Sequence, residues 1–89
     1  MAELTFTLQN DGFYTAEFKA EGDFALHIER NQPDTIMMLQ KSMEGANYAV
    51  VHESLGNGLV IDADIQGFIA PKWIQLKTRT QPTYAATNA

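Results

Sequence analysis

Apolar and polar side chains alternate along most of this chain, and a period of two residues predicts β-strands. Residues 4–8, 13–20 and 24–29 each place apolar side chains on one face and mainly polar ones on the other. Turn residues separate these segments at Asn10-Asp11-Gly12 and at Glu21-Gly22-Asp23. The first third of the chain is therefore predicted to form short strands, each with one buried face.

The segment 35–42, TIMMLQKS, differs because its apolar residues fall on both faces of a strand. Ile36 and Met38 would point one way. Met37 and Leu39 would point the other way. We predict a strand that is covered on both sides, and a short helix between the flanking turns is the alternative.

The second half of the chain continues with short apolar pieces and turn signals. Strands are predicted at 47–53 and 72–80, short apolar segments at 59–61 and 65–69, and a flexible or exchanged tail at 81–89. Gly56-Asn57-Gly58 is typical of a hairpin or bulge. The pattern predicts one all-β domain over 1–89, an antiparallel, jelly-roll-like β-sandwich with about seven to eight short strands.

The composition removes several ways of stabilising so small a domain. The chain has 89 residues, no cysteine and two histidines. Disulfides and thiolate metal sites are therefore excluded, and neither a structural zinc site nor a cofactor is expected. Because a chain of this length buries a limited apolar area, association with further copies is the remaining way to bury more. We expect a homo-oligomer.

The charge and the apolar runs limit the classes of partner. A net charge of −5 argues against nucleic acid, because phosphates repel an acidic chain. No apolar run approaches the ~20 residues of a membrane span, and the acidic N-terminus does not resemble a signal peptide. We therefore expect neither a nucleic-acid nor a membrane partner.

Candidate chemistry is sparse in this sequence. Asp62 and Asp64 would share one face of a strand, where two carboxylates could meet a cation, but we favour two exposed acids and expect no metal site. His27 with Glu29, and His52 with the glutamate after it, are candidate acid–base pairs. Neither pair has a serine or cysteine at a diagnostic spacing, so we expect no catalytic residue and no enzyme.

The last strong strand, within PKWIQLKTRTQPT, carries the only tryptophan on its polar side. Ile74 and Leu76 define its buried face, so Trp73 would point outward. An outward tryptophan is typical of a protein interface or a sugar-binding platform, unless a loop of the same chain covers it. The interface candidates are Trp73, Tyr48, Met37, Met38, Lys77 and Arg79, and the candidate ligand-binding residues are Trp73, Asp62 and Asp64.

Two pieces of the C-terminal half, SMEGANYAVV and GLVIDADIQGFIAPKWIQLKTRTQPT, share a pattern. A glycine-bearing turn opens a strand, and an aromatic–Ile–x–Leu strand leads into a threonine- and proline-containing exit. In this pattern residues 42–87 resemble small β-sandwich modules of bacteriophage virion proteins, capsid-decorating or fibre proteins. The resemblance implies a structural or attachment role, commonly as a trimer. It also implies virion proteins or surface glycans as partners, and a location in the virion or the host cytoplasm.

The sequence thus predicts a non-enzymatic structural or interaction protein, an oligomeric component of a phage virion. The alternative is a carbohydrate-binding module. In that case Trp73 or Tyr48 would stack on a sugar ring, and Asp62 or Asp64 would accept hydrogen bonds from its hydroxyl groups.

Overall fold

The computed structural model describes residues 1–67 and 69–89, and every regular element among them is a β-strand. No helix among these residues is long and apolar enough to cross a membrane. The strands are β1 (Ala2–Glu3), β2 (Thr7–Leu8), β3 (Tyr14–Ala20), β4 (Phe24–Glu29), β5 (Ile36–Ser42), β6 (Ala49–His52), β7 (Val60–Ile65), β8 (Lys72–Thr78) and β9 (Tyr84–Thr87).

The strands form two antiparallel sheets. Sheet A has the order β1-β9-β4-β7, and sheet B has the order β2-β3-β8-β5-β6. From β3 onward the chain crosses repeatedly between the sheets, and its last strand lies beside its first in sheet A. This connectivity is that of a jelly roll, which confirms the predicted fold class.

The inner faces of both sheets form one apolar core. Phe18 on β3 meets Phe24 on β4 across the layers, with ring centroids 5.4 Å apart and edge-to-face geometry. The strand predicted at 35–42 is present as β5, with Ile36 pointing into the core. The buried cluster consists of Phe6, Ala16, Ala20, Phe24, Leu26, Ile28, Ile36, Met38, Ile61, Ile65, Ile74, Leu76 and Ala85.

The N-terminal segment 4–8 is not the single strand that its alternation predicts. β1 joins sheet A and β2 joins sheet B, so the chain crosses between the layers at 4–6. The Leu4 N–H donates to the Ala85 carbonyl at 2.7 Å, and Phe6 is buried in the core at the crossing. These two short strands bring the count to nine, above the predicted seven to eight.

Two further sequence predictions differ from the structure, one within β7 and one in the segment that precedes it. Asp62 and Asp64 point outward while Ile61 and Ile65 point into the core, so the acids continue the strand rather than split it. The Gly56-Asn57-Gly58 segment does not close a hairpin. It lies in the crossover between β6 of sheet B and β7 of sheet A.

The flexible or exchanged tail predicted at 81–89 is wrong for its central part. Residues 84–87 form β9, an interior strand that pairs with β1 on one side and with β4 on the other. Ala85, Ala86 and Thr87 are buried, and the Thr87 hydroxyl donates to the Ala25 carbonyl at 2.8 Å. The small side chains gave little apolar signal, yet the backbone of this strand pairs on both sides.

Arg30 ties two loops together at the end of β4. It is only 4% exposed, and one terminal nitrogen donates to the Asp34 carbonyl at 2.5 Å. The other terminal nitrogen donates to the Gly58 carbonyl. A single guanidinium therefore holds the loop after β4 against the crossover that precedes β7.

We expect Arg30→Lys to lower the free energy of unfolding by roughly 1–3 kcal/mol, because one ammonium cannot reproduce a guanidinium that donates to the Asp34 and Gly58 carbonyls at the same time. The matched control is Arg79→Lys at an exposed position, where a cation stays within reach of the Phe13 ring, and this variant should change stability by less than about 1 kcal/mol. Urea denaturation measures both variants. Equal losses of stability in the two variants would show that the hydrogen bonds from Arg30 to the two loops do not stabilise the fold.

Gly67 lies against the turn at Gly22-Asp23, and its N–H donates to the Asp23 carboxylate. A Cβ at this position would lie 2.5 Å from Asp23 Oδ1 and 2.8 Å from the Asp23 nitrogen. Gly67→Ala should therefore lower the free energy of unfolding by roughly 1–3 kcal/mol. Gly22→Ala is the control, because nothing lies within 4 Å of its Cβ. Thermal melts that shift equally for both variants would contradict the close approach.

Candidate interaction surfaces

Strand β6 forms an exposed, uncharged edge of sheet B. All four of its residues, Ala49 to His52, are exposed, and among the described strands none pairs with its outer backbone side. Val50 and Val51 keep 49% and 38% of their surface exposed. Further exposed apolar side chains, Met43, Leu59 and Val60, flank this strand in the sequence. We call Ala49–His52 the β6 edge.

A groove of about 410 Å³ lies between the β6 edge and β7, the edge strand of sheet A. Met38 and Ile65 give it an apolar lining, and Gln40 and His52 add polar groups. The Gln40 side-chain oxygen is buried without a hydrogen-bond partner in the described structure. Small-molecule sites combine apolar walls with a few polar groups, so this groove is where a small ligand would be sought.

The outer face of sheet B carries the tryptophan. Trp73 on β8 lies in register between Lys19 on β3 and Lys41 on β5, and its side chain is half-buried. Neighbouring strands are ~4.8 Å apart, so the aliphatic stems of both lysines lie beside the indole. The lysine stems therefore give Trp73 partial cover on the polar side of the sheet.

Tyr48 extends this cover across the sheet. Lys41 Nζ lies 4.7 Å from the centre of its ring. Burial, a hydrogen bond to Glu17 and the charge of that carboxylate raise the pKa of the Tyr48 hydroxyl. Because Glu17 is on β3, the tyrosine spans β5 and β8, which explains why the outward Leu39 is only 8% exposed.

Lys77 and Arg79 both lie over the Phe13 ring of the same chain, a contact that the sequence pattern did not predict. Lys77 Nζ lies 4.6 Å and the Arg79 guanidinium carbon 4.7 Å from the centre of the Phe13 ring. Lys77 also forms a 3.1 Å ion pair with Asp11. Phe13 directly follows Gly12, whose φ of +85° turns the chain back over β8. In the sequence, the turn at Gly12 was the feature from which the contact of Phe13 with Lys77 and Arg79 could have been anticipated.

The two adjacent methionines have different roles. Met37 is half-buried on the outer face of β5. Met38 is 1% exposed and belongs to the core. The placement of Met38 among the interface candidates is wrong, because its side chain points inward with Ile36.

Asp62 and Asp64 are exposed on the outer face of β7, as their spacing predicts. That face belongs to sheet A, whereas Trp73 lies on the outer face of sheet B. The fold does not bring these three candidate ligand-binding residues together, because the core separates the two outer faces.

His27 on β4 is held between two carboxylates. Its Nδ1 lies 2.5 Å from Asp62 Oδ1, and its Nε2 lies 2.8 Å from Glu29 Oε2. The Tyr84 ring lies beside it, with centroids 6.0 Å apart. The hydrogen bond to Asp62, and then that to Glu29, raise the pKa of His27. When the ring is protonated, both nitrogens donate.

The candidate acid–base pair of His27 and Glu29 has no free ring nitrogen in this structure. Both His27 nitrogens face carboxylates, so neither is open to a substrate proton in this arrangement. His52 lies apart from it, on the β6 edge. Within residues 1–67 and 69–89, no three His, Asp or Glu side chains are grouped to hold a metal ion. The contact between His27 and Asp62 links β4 to β7.

Comparison with known proteins found no matching family model, no matching curated protein and no matching solved structure.

The His27 cluster should make stability depend on pH. A raised pKa in the folded state contributes stability that is complete below the unfolded value of about 6.5 and is lost as pH rises through the folded pKa. Wild type should therefore exceed His27→Gln in stability by more at about pH 5 than at about pH 9. Urea denaturation at the two pH values measures this difference.

His52→Gln is the control, because His52 is exposed and has no hydrogen-bonded carboxylate among the described residues. Its effect on stability should not follow the same pH dependence. If His27→Gln costs the same stability at both pH values, the paired carboxylates do not hold a proton on the ring.

Proposed function

We propose that this protein is a non-enzymatic structural protein whose β-sandwich associates with further copies of itself. The observation that supports this most strongly is the exposed apolar β6 edge. Val50 and Val51 leave apolar surface in water on a strand that pairs on one side only among the described strands. Exposed apolar edges are typical of surfaces that another chain covers.

The resemblance of residues 42–87 to phage virion modules suggests the assembly. A component of a virion, either capsid-decorating or part of an attachment structure, works by contacts with neighbouring subunits rather than by chemistry. Jelly rolls occur in viral capsid and lectin domains. That likeness is an analogy of fold, and it favours the virion role without specifying a partner.

Carbohydrate binding is a second candidate function, favoured by Trp73. The indole lies on an outer face between Lys19 and Lys41, which would suit a sugar that carries an acidic group. Tyr48 is engaged with Glu17, and Asp62 is on the other sheet, so Trp73 would act without them. The sugar platform is therefore the weaker candidate.

Sedimentation equilibrium over a wide range of protein concentration tests the proposal. We expect a mass that is a multiple of the 9.9 kDa chain and that dissociates on dilution. A mass equal to one chain at every concentration would refute self-association. Intrinsic tryptophan fluorescence titrated with acidic and neutral oligosaccharides tests the second candidate, because Trp73 is the only tryptophan.

A further inference from the structure

We propose that Asn57 is a site of spontaneous deamidation, at which the side-chain amide is lost and an aspartate or isoaspartate forms in the crossover between β6 and β7. The reaction is independent of self-association, because it needs only Asn57, the peptide nitrogen of Gly58 and water.

In this reaction the backbone nitrogen of Gly58 attacks the side-chain carbonyl carbon of Asn57. The new carbon–nitrogen bond closes a succinimide ring, the Gly58 nitrogen loses its proton, and the side-chain nitrogen of Asn57 leaves as ammonia. Water then opens the ring at either of its carbonyl carbons. One opening gives aspartate. The other gives isoaspartate, in which the main chain runs through the side-chain carbons of residue 57.

The residue that follows each asparagine favours reaction at position 57. Asn57 is the one asparagine of this chain that precedes a glycine, whereas residues with side chains follow Asn10, Asn31, Asn47 and Asn88. A side chain on the following residue hinders attack by its nitrogen and restricts the backbone angles that bring the nitrogen to the carbonyl carbon. Because glycine removes both obstacles, we expect Asn57 to react first.

The fold leaves both reacting groups accessible. Asn57 and Gly58 are exposed, and neither belongs to a strand. Among the described residues, none accepts a hydrogen bond from the Gly58 N–H and none binds the Asn57 side-chain amide. Attack requires a nitrogen that is not held in a hydrogen bond and a backbone that is not fixed in a sheet. Both conditions are met in this crossover.

The dipeptide Asp11-Gly12 can form the same succinimide, but the fold protects it. The Gly12 N–H donates to the Gln9 carbonyl at 3.1 Å, so its nitrogen is held. The Asp11 carboxylate accepts from the Phe13 N–H and pairs with Lys77. These contacts lower the pKa of Asp11, whereas ring closure at an aspartate needs the neutral acid. The fold therefore favours reaction in the crossover over reaction in this turn.

The position of Asn57 makes its conversion a change in structure. The crossover is held before it by the Leu55 N–H, which donates to the Ile36 carbonyl at 2.9 Å. It is held after it by the Gly58 carbonyl, which accepts from Arg30. Isoaspartate adds a main-chain carbon between these two contacts. Because the added length has to displace one of them, we expect the isoaspartate form to be less stable.

Incubation of the folded protein in mildly alkaline buffer, followed by peptide mapping with mass spectrometry, tests the site. We expect aspartate and isoaspartate to accumulate at Asn57 several-fold faster than at Asn31, which is also exposed and outside the strands. Labelling with an isoaspartyl methyltransferase measures isoaspartate independently. Equal rates at Asn57 and Asn31 would overturn the proposal. Isoaspartate forming at Asp11 as fast as at Asn57 in the folded protein would contradict the protection of that turn.

Gly58→Ala tests the role of the following residue. A Cβ at this position lies 3.6 Å from the Val60 carbonyl oxygen, an ordinary contact, and the φ of Gly58 is outside the left-handed region. The variant should therefore fold and keep the carbonyl that Arg30 binds, while reaction at Asn57 slows several-fold. Gly22→Ala is the matched control and should leave the rate at Asn57 unchanged, because nothing lies within 4 Å of its Cβ. Reaction at Asn57 that is as fast in Gly58→Ala as in wild type would refute attack by this nitrogen.

Urea denaturation tests the structural consequence. Asn57→Asp gains the charge without the added carbon and should keep a urea midpoint close to that of wild type. The isoaspartate form, separated by ion-exchange chromatography, should have a lower midpoint. In the Arg30→Lys background isoaspartate should lower the midpoint less, because the contact at Gly58 is already weakened. Equal midpoints for the isoaspartate form and Asn57→Asp would show that the crossover accommodates the added carbon and would overturn this consequence.

Discussion

Packing of the two inner sheet faces against each other is the interaction on which the rest of the structure depends. With no cysteine in its 89 residues, the chain gains its stability from the apolar surface that these faces bury. Each strand supplies the core with alternate residues, so the remaining residues are directed to the outer faces. The position of every candidate functional residue is a consequence of this division.

The C-terminal strand β9 completes the core by filling the space between β1 and β4. Its residue Ala85 joins the buried cluster. Directly after β4, Arg30 joins two loops through their carbonyl groups. Elements distant in sequence are thus joined along β4 and directly after it, and β4 also carries His27.

The period of two was sufficient to predict β3, β4 and β8, because each of them has large side chains on its buried face. The segment of β5 is apolar on both faces, so a short helix stayed open there as the alternative. It was insufficient where side chains were small or charged. β9 reads as a polar tail because alanine and threonine give no contrast, and Asp62-Ala63-Asp64 reads as a break although its acids simply face water.

The candidate surfaces were predictable in part for a related reason. The outward direction of Trp73 follows from alternation alone, since Ile74 and Leu76 fix the inner face. The His27–Asp62 contact depends on the register between β4 and β7, and its residues are 35 positions apart. The contact between Tyr48 and Glu17 likewise spans strands that the sequence does not pair. The local alternation of apolar and polar residues determines which face of a sheet a side chain occupies. Contacts between side chains of different strands depend on how those strands pair, and the local alternation does not show this.

The division between inner and outer faces can be tested directly through the single tryptophan. A nuclear Overhauser spectrum of the labelled protein reports which protons lie near the Trp73 indole. The register predicts cross-peaks to the side chains of Lys19 and Lys41, and none to the methyl groups of Leu26 or Ile28 in the core. Cross-peaks from the indole to those core methyl groups would contradict the two-layer arrangement.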